Sequence, residues 1–538
     1  MNKRSTWIRG TFAAAFIIIA GFSACKKNDT DVKTENGPGS RADSTRDSIF
    51  FYAKEVYLWN NELPTYDAFD PRSYTTLGSD IDNYYRELYD ITRYGINPAT
   101  SKPYEENPNE PGYPKYSYIS DLNDRNPVAV IRPKSSVNTD GVGYDIGIYS
   151  FSAFGTDREY KLFIKAVYPG SPAAAEGLTR GTQITAIEGK NIGSNFNNEK
   201  DLINSLLDSS TPSAKLKGLR TDGSAFELTL ERDSYNSSPV YKSKIFEANG
   251  KKVGYINLGR FSQLSNPEGE NTSDKNLDPV FAQFASAGLT DLIVDLRYNG
   301  GGYVSTAEHL INLIAPASAT GVMYKEVYNE TMQQRKATIL KNQPLTDANG
   351  NIRYGTDNKM LTYFNVDYTV EGNTATFKKK GSLNGVKRVV FIVTGSTASA
   401  SELTINALKP FVDVKLVGTT TYGKPVGFFP VTIENRYDVY FSMFETKNAK
   451  DEGGYYAGMK PDVSDAIDDS KRDFDDPREN YIAKALEILA PGTATNARAS
   501  MSVKGSSGAT LSLAPALNEK IKTPNQFIGM IETRHRTR

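Results

Sequence analysis

The stretch Asp291-Leu-Ile-Val-Asp-Leu-Arg-Tyr-Asn-Gly-Gly-Gly302 decides the predicted fold, together with Val389-Val-Phe-Ile-Val-Thr-Gly-Ser-Thr-Ala-Ser-Ala-Ser-Glu402. Each stretch begins with an apolar, β-branched run that predicts a buried strand, and then continues through small residues into a predicted helix. Residues 240–490 alternate between strand-like and helix-like segments in this way, which is typical of an α/β domain. Because ligands bind at the carboxyl ends of strands in such sheets, we expect a functional site where these two strands end.

The second stretch places serines at the start of a predicted helix, where unpaired backbone N–H groups favour negative charge. This position suits a nucleophile whose attack creates an oxyanion, but a serine also needs a neighbouring base. The chain has only two histidines, His309 and His535, and of these only His309 could lie nearby. The alternative base is a lysine whose pKa is lowered by burial. Lys424 is the candidate, because a right-handed crossover brings the ends of the strands at 389–394 and 414–418 to one edge.

These segments resemble the C-terminal processing peptidases, also called tail-specific proteases, which are Ser/Lys hydrolases with an embedded PDZ domain. The family's Asp-Leu-Arg-x-Asn-x-Gly-Gly motif matches Asp295 to Gly302, its Ser-Ala-Ser-Glu motif matches Ser399 to Glu402, and its Gly-Lys motif matches Gly423 and Lys424. The resemblance covers residues 47–490. It implies that Ser399 is the nucleophile and Lys424 the general base.

The same resemblance implies an oxyanion hole formed by the backbone N–H groups of Gly301, Gly302 and Ala400. Glu402 and Arg297 are expected to support the site. Each also has a structural interpretation, Glu402 as a first-turn residue that complements the helix dipole and Arg297 as a partner in a buried ion pair.

Several alternatives remain open at the level of sequence. Ser396 and Ser401 compete with Ser399 as nucleophiles, although either could cap the helix. Many family members have Gly directly after the lysine and Gln four residues beyond it, where this chain has Pro425 and Phe428.

Residues 128–233 contain short apolar strands, glycine turns and one clear helix, and the segment Val167 to Lys190 resembles a PDZ domain of the bacterial type. The glycine-rich stretch that begins at Gly141 takes the place of the carboxylate-binding loop of that domain. Such a loop offers backbone N–H groups to a peptide C-terminus, while the adjoining strand edge pairs with the peptide backbone. The residues expected to bind peptide are Gly141, Val142, Gly143 and Tyr144.

The N-terminus has the pattern of a secretory signal over residues 1–24, with basic residues followed by an apolar run from Thr11 to Phe22. That run is too short for a transmembrane helix, which needs about 20 apolar residues. The run ends in Phe22-Ser-Ala-Cys25, which resembles the lipobox of bacterial lipoproteins, although family members usually have Leu in place of Phe22. An ordinary signal peptide with an unrelated cysteine is the alternative interpretation.

The segments beyond the signal complete the predicted organisation. Residues 25–46 are polar and read as a tether. Residues 47–125 read as a helical N-terminal domain whose first helix has Asp47 or Ser48 as its N-cap. Residues 491–538 are rich in Ala, Ser, Thr and Gly and read as a tail of uncertain order.

Composition excludes several classes of function. The 63 Lys and Arg residues balance the 63 Asp and Glu residues, which argues against a nucleic-acid-binding protein. The single cysteine excludes thiolate zinc clusters, and with so few histidines we expect neither a metal nor a cofactor.

We therefore predict a multidomain α+β chain with a helical N-terminal domain, a PDZ domain and a crotonase-like (ββα) α/β serine peptidase core at 240–490. The implied function is a lipid-anchored endopeptidase of the bacterial cell envelope, facing the periplasm or the cell surface. Its partners would be proteins with exposed C-termini and, through its lipid, the membrane. The alternative is a catalytically weak relative that binds peptides through the PDZ domain or serves as an assembly partner. The sequence leaves the oligomeric state open.

The lipid anchor leads to a first prediction. The variant Cys25→Ser lacks the thiol that would be acylated. It should leave the membrane fraction, because the membrane affinity of a lipid-anchored protein comes from its lipid chains. Fractionation of expressing cells measures this, and unchanged membrane association would contradict the anchor.

Overall fold

In the computed structural model, the described residues are 39–108, 110–123, 137–208, 212–266, 272–347, 351–493, 502–523, 528–532 and 537. The predicted signal segment, Cys25 and His535 lie outside this set. Among the described residues, no helix combines the length and the apolar character that crossing a membrane requires.

The first helix begins at Arg41, where the Ser40 hydroxyl accepts a hydrogen bond from the Asp43 N–H and the Asp43 carboxylate accepts one from the Ser40 N–H. This reciprocal cap corrects two expectations, because the N-cap is neither Asp47 nor Ser48 and the end of the predicted tether is helical. The N-terminal region is mainly helical. Its helices and 3₁₀ turns are Arg41–Val56, Asn60–Glu62, Tyr66–Phe69, Pro71–Ser73 and Asp80–Ile91, and its strands are Ile96–Asn97, Lys102–Pro103 and Tyr118–Asp121.

The next region, residues 142–236, is called the 142–236 module below. Its six-stranded sheet has Ile148–Gly155 at one edge and Ala225–Glu231 at the other. The sheet strands are Ile148–Gly155, Tyr160–Val167, Gln183–Ile187, Lys190–Asn191, Ser213–Leu219 and Ala225–Glu231, the helices are Pro172–Ala175 and Phe196–Ser205, and the separate strands Val142–Asp145 and Asp233–Asn236 pair with each other.

The core sheet has five strands in the order Val240–Ala248, Lys251–Leu258, Asp291–Asp295, Arg388–Val393 and Asp413–Gly418. The first two strands pair antiparallel, and all later neighbours pair parallel. The predicted juxtaposition of the last two strands is therefore confirmed, and their carboxyl ends lie at the same edge.

Alternating side chains of the core sheet enter two apolar clusters, as expected for strands that are buried on both faces. Leu292 and Val294 pack with the helices Leu277–Ser286, Val304–Ile314 and Ala400–Leu408. Ile293 faces the opposite side, where it packs with the helix Asn480–Leu489 and with part of the 142–236 module.

Two smaller sheets connect the core sheet to the N-terminal region. One has strands in the order Thr374–Thr376, Val322–Tyr328, Phe444–Asn448 and Val426–Gly427; the other has Val431–Ile433, Tyr437–Tyr440 and Tyr118–Asp121. The short helices in this part of the chain are Glu330–Gln333, Thr338–Asn342 and Tyr363–Asn365.

The described part of residues 491–538 is folded, which corrects the expectation of a tail of uncertain order. It contains the strands Ser502–Lys504, Thr510–Ser512 and Gly529–Ile531 and the helix Pro515–Asn518. Gly529–Ile531 pairs in parallel with Gly301–Tyr303, at the end of the core sheet where the functional site was expected.

A buried ion network lies below this end of the sheet. The fully buried Arg297 guanidinium contacts the carboxylates of Asp295 at 2.7 Å, Asp468 at 2.9 Å and Glu479 at 3.0 Å. Arg180 of the 142–236 module contacts Asp468 at 2.5 Å. Burial disfavours the charged form of Asp468, but the two guanidinium groups outweigh it and hold the pKa of this carboxyl below its ordinary value.

Because of this network, we expect removal of its central cation, Arg297, to destabilise the fold strongly. The variant Arg297→Met should lower the free energy of unfolding by about 3–5 kcal/mol, because it leaves buried carboxylates without their partner. Urea unfolding measures this change. Arg436→Met is the matched control, because the Arg436–Asp121 pair is partly exposed and its loss should cost at most about 1 kcal/mol. Equal losses in the two variants would contradict the role assigned to the network.

Candidate active site

Ser399 lies in the turn between the strand Arg388–Val393 and the helix Ala400–Leu408, with φ +62° and ψ −111°. A positive φ is unfavourable for a residue with a Cβ and persists only where surrounding contacts enforce it. The side chain is fully buried, and its Oγ has no hydrogen-bond partner among the described residues. The structure thus presents an unengaged hydroxyl at a helix N-terminus.

The serine turn, residues 394–399, is held by the turn that ends the neighbouring strand. The Ala398 N–H and the Ser401 hydroxyl both donate to the carbonyl of Asn299, each at 3.0 Å. The Ser401 hydroxyl therefore has a backbone partner, whereas Ser396 is exposed at the outside of the turn. Of the three serines considered as nucleophiles, Ser399 is the one that combines burial with a hydroxyl free of partners in the described structure.

The glycine turn, Asn299–Gly302, lies directly beside Ser399. A Cβ added to Gly301 would lie 3.1 Å from the Ser399 Cβ, and one added to Gly302 would lie 2.0 Å from the Phe261 carbonyl oxygen. Both glycines have positive φ, so a side chain at either position would be strained as well as obstructed. The Gly301 N–H donates to Asn299 Oδ1 at 2.9 Å, which shows that the Asn299 side chain shapes this turn.

Lys424 is fully buried in the loop that follows the strand Asp413–Gly418. Its Nζ donates to the carbonyl oxygen of Ile528 at 2.9 Å and to that of Tyr116 at 3.3 Å. The same atom lies 4.4 Å from the ring centroid of Phe428. The residue that replaces the family's usual Gln therefore contacts the lysine through a cation–π interaction.

Glu402 joins the serine turn to the loop that follows the strand Asp413–Gly418 and contains Lys424, which is called the lysine loop below. Its buried Oε2 accepts from the N–H groups of Ser399 and Lys424, both at 2.8 Å. Its Oε1 accepts from the Gly423 N–H at 2.8 Å and from the Thr421 hydroxyl at 2.5 Å. Burial raises the pKa of this carboxyl, while the four donors oppose the rise. Glu402 is thus a positioning residue as well as a first-turn residue of its helix.

Several neighbours of Lys424 were not found from the sequence. The Tyr116 hydroxyl donates to the Gly423 carbonyl at 2.5 Å, and Lys115 Nζ donates to the same oxygen at 3.2 Å. Burial lowers the pKa of Lys115 to about 8. The residues at 115–116 and at 528–532 carry no motif, and each lies about a hundred or more positions from Lys424, so no local pattern could have connected them to it.

The remaining candidates are placed as follows. His309 Nε2 lies 2.6 Å from Asp278 Oδ1, and its Nδ1 lies 3.3 Å from the Thr272 hydroxyl, so this histidine is engaged away from Ser399. Arg297 forms the buried ion network rather than facing the serine. Among the described residues, no group of three or more His, Cys, Asp and Glu side chains could hold a metal ion.

The expected peptide-binding residues lie in, or directly next to, a two-stranded sheet. Val142–Asp145 pairs antiparallel with Asp233–Asn236, outside the six-stranded sheet. The side chains of Val142 and Tyr144 are exposed, Gly141 lies against Arg260 and Gly143 against the Tyr235 ring. Asp140, immediately before this stretch, accepts a hydrogen bond at 3.1 Å from the hydroxyl of Tyr303, the residue that follows the glycine turn.

Comparisons with known proteins agree with this geometry. Residues 252–464 match the model of peptidase family S41. A carboxyl-terminal-processing protease of Picosynechococcus sp. is 28% identical over 264 residues, which cover 48% of this chain and 49% of that protein. The carboxy-terminal processing protease CtpA of Bacillus subtilis is 24% identical over 324 residues, covering 60% of this chain and 57% of the relative. The chain thus spans about half the length of these curated relatives.

A crystal structure of a protein from Bacteroides fragilis that is assigned to the S41 proteases superimposes with a TM-score of 0.50. The superposition covers 82% of this chain and 96% of the other, at 22% sequence identity, and shows a shared fold. The predicted mixed α/β architecture is therefore confirmed. Residues 252–464 therefore resemble peptidase family S41, and the curated relatives of the chain include carboxyl-terminal processing proteases.

Proposed function

We propose that this chain is a serine endopeptidase in which Ser399 is the nucleophile and Lys424 the general base. The observation that carries the proposal is the shared carboxylate of Glu402, which binds the backbone N–H groups of both residues at 2.8 Å. One buried group therefore sets the separation between a strained, unengaged serine and a buried lysine.

In the proposed reaction, Ser399 Oγ attacks the carbonyl carbon of the scissile peptide bond while neutral Lys424 accepts the hydroxyl proton. Collapse of the tetrahedral intermediate breaks the C–N bond, and Lys424 returns the proton to the leaving amine. Water then hydrolyses the acyl-enzyme, with Lys424 again acting as the base.

The glycine turn and the helix N-terminus would stabilise the oxyanion. The Ala400 N–H is at the first helical position and has no partner within its helix. Gly301 contributes when its N–H exchanges Asn299 Oδ1 for the oxyanion, and Gly302 is the adjacent donor. Each donor is worth about 3 kcal/mol of transition-state stabilisation, by comparison with measured donor deletions.

We also assign substrate capture to the 142–236 module acting as a PDZ domain, with Gly141 to Tyr144 offered to an exposed, apolar C-terminus. One feature supports this: the strand Ile148–Gly155 forms the edge of its sheet, and edge strands accept peptides by strand addition. The enzyme would be held at the bacterial cell envelope by a lipid on Cys25.

A second candidate is a catalytically weak relative that binds peptides. One observation favours it: Lys424 Nζ donates to the carbonyls of Tyr116 and Ile528, whereas Ser399 Oγ has no partner in the described structure. Carbonyl acceptors favour the protonated form of a lysine, and a protonated Lys424 could not accept the serine proton.

The dyad predicts the effect of single variants on cleavage of an unfolded protein with an apolar C-terminal tail. Ser399→Ala and Lys424→Ala should each lower kcat by about 10³-fold or more, because either change removes a group that acts in the transition state. Ser396→Ala and Lys379→Ala are matched controls and should retain wild-type rates, since Ser396 is exposed and Lys379 donates only to the carbonyls of Asn312 and Leu313 among its described contacts.

Cleavage by Ser399→Ala at the wild-type rate would contradict the nucleophile assignment. Activity that survives in Lys424→Ala but is lost in His309→Ala would contradict the lysine base and indicate a histidine mechanism.

The variant Glu402→Gln tests the positioning role. Glutamine has one acceptor oxygen where the carboxylate serves four donors, so the serine turn and the lysine loop should lose their common anchor. We expect kcat to fall by about 10²-fold with little change in KM, since positioning errors of this kind act on the chemical step. Unchanged kcat, or a loss confined to KM, would contradict this role.

A further inference from the structure

The C-terminal strand Gly529–Ile531 fills the cleft in front of the proposed dyad. On one side it pairs in parallel with Gly301–Tyr303, with Gly529 opposite Gly301 and Met530 opposite Gly302. On the other side, the Phe428 N–H donates to the Met530 carbonyl at 3.3 Å and the Glu532 N–H donates to the Phe428 carbonyl at 3.4 Å. The strand is therefore inserted between the glycine turn and the lysine loop.

The same segment contacts the functional groups of the site. The Ile528 carbonyl accepts from Lys424 Nζ at 2.9 Å, and the Gly529 N–H donates to the Gly300 carbonyl at 3.1 Å. A carbonyl of the chain itself thus accepts a hydrogen bond from the Lys424 side-chain nitrogen, the atom that the proposed mechanism needs as a base.

The proposed catalytic residues are buried beneath this strand, so a substrate cannot reach them while the strand stays in place. The relative exposures of Ser399, Lys424 and Met530 are all 0%. A peptidase acting on proteins has to bring a polypeptide backbone to the serine, and here that space is taken by residues 528–532 of the same chain.

The preceding part of the C-terminal region covers the edge of the 142–236 module. The Ala514 N–H donates to the Ala153 carbonyl at 3.1 Å, and the Ser150 hydroxyl donates to the Lys522 carbonyl at 2.9 Å, so this segment lies along the strand Ile148–Gly155. On the other side, Asn204 of the helix Phe196–Ser205 donates to the Lys520 carbonyl at 3.0 Å.

Residues 511–522 therefore occupy the space between an edge strand and a helix. Leu517 and Ile521 pack into the apolar cluster of the module. This is the strand edge that the proposed function assigns to a substrate peptide.

We propose that the C-terminal region is an intramolecular inhibitor, in which residues 511–522 cover the edge strand and residues 528–532 close the cleft over Ser399. This proposal rests on the proposed function, because the two surfaces that the C-terminal region occupies are the ones assigned there to the substrate. A segment tethered to its own site competes at an effective concentration on the order of mM, so a substrate enters efficiently only after the segment leaves.

The first test measures access to position 399 without requiring catalysis. In the full chain carrying Cys25→Ser, the substitution Ser399→Cys introduces the sole thiol. Its reaction with a nitrobenzoate disulfide reagent forms a mixed disulfide and releases a coloured thiolate, so the rate reports whether reagent reaches this position.

Adding Met530→Asp places a carboxylate in an apolar, fully buried position and should expel the strand. We expect the thiol to react at least about 10-fold faster, in line with removal of a tethered competitor. Ile531→Asp, at a part-buried position that bridges to Phe428, is the second expelling variant, and Thr523→Asp, at an exposed position, is the matched control and should leave the rate unchanged. Thermal unfolding checks that each variant remains folded.

Equal thiol reaction rates in the parent, Met530→Asp and Ile531→Asp proteins would overturn the proposal. A rise in both expelling variants but not in Thr523→Asp would support it.

The second test separates the inhibitor from the peptidase. With Ser399 intact, wild type should cleave an unfolded protein slowly, and Met530→Asp should do so at least about 10-fold faster. Efficient cleavage by wild type with no gain in Met530→Asp would overturn the inhibitor and leave the peptidase standing. Faster thiol reaction without cleavage by either protein would support closure of the cleft and contradict the proposed peptidase.

Discussion

The site depends on one buried carboxylate. Glu402 accepts hydrogen bonds from the serine turn and from the lysine loop, which follow different strands of the core sheet. A carboxylate without solvent is costly, and here the cost is offset by four donors, so the group is stable only while both loops stay in place. The same contacts that satisfy the carboxylate thereby hold the backbone of the two proposed catalytic residues in place.

The buried guanidinium of Arg297 performs a related task below the glycine turn. It connects Asp295, at the end of one core strand, to Asp468 and Glu479, which lie between the S41 match and the helix Asn480–Leu489. Arg180 extends this network into the 142–236 module. Since a buried ion pair stabilises specific geometry more reliably than it adds net stability, the network is best understood as fixing the orientation of the module relative to the turn.

The sequence was sufficient to predict the two strand-to-turn segments, because apolar runs followed by small residues are local signals. The handedness of a parallel crossover was sufficient to place the serine turn and the lysine loop at one edge of the sheet, whereas the roles of Ser399 and Lys424 are implied by family resemblance and stay predictions. Local patterns could not reveal Tyr116, Lys115 or Ile528, which reach the lysine through tertiary folding. The C-terminal region differs from its prediction for another reason: its small polar composition is typical of a tail, but several of its described apolar residues, such as Leu517 and Met530, are buried.

If the chain acts on C-termini as proposed, substrate and the strand Gly529–Ile531 compete for one backbone-pairing surface, which gives a simple route to control. The central claim beneath this account is that Ser399 is the nucleophile. Its most direct test is mass spectrometry of the Met530→Asp variant, whose cleft is expected to be open, after a short reaction with an activated peptide ester, quenched in acid before deacylation. The account predicts an acyl group mapped to Ser399. An acyl group on Ser396 or Ser401, with Ser399 unmodified, would contradict it.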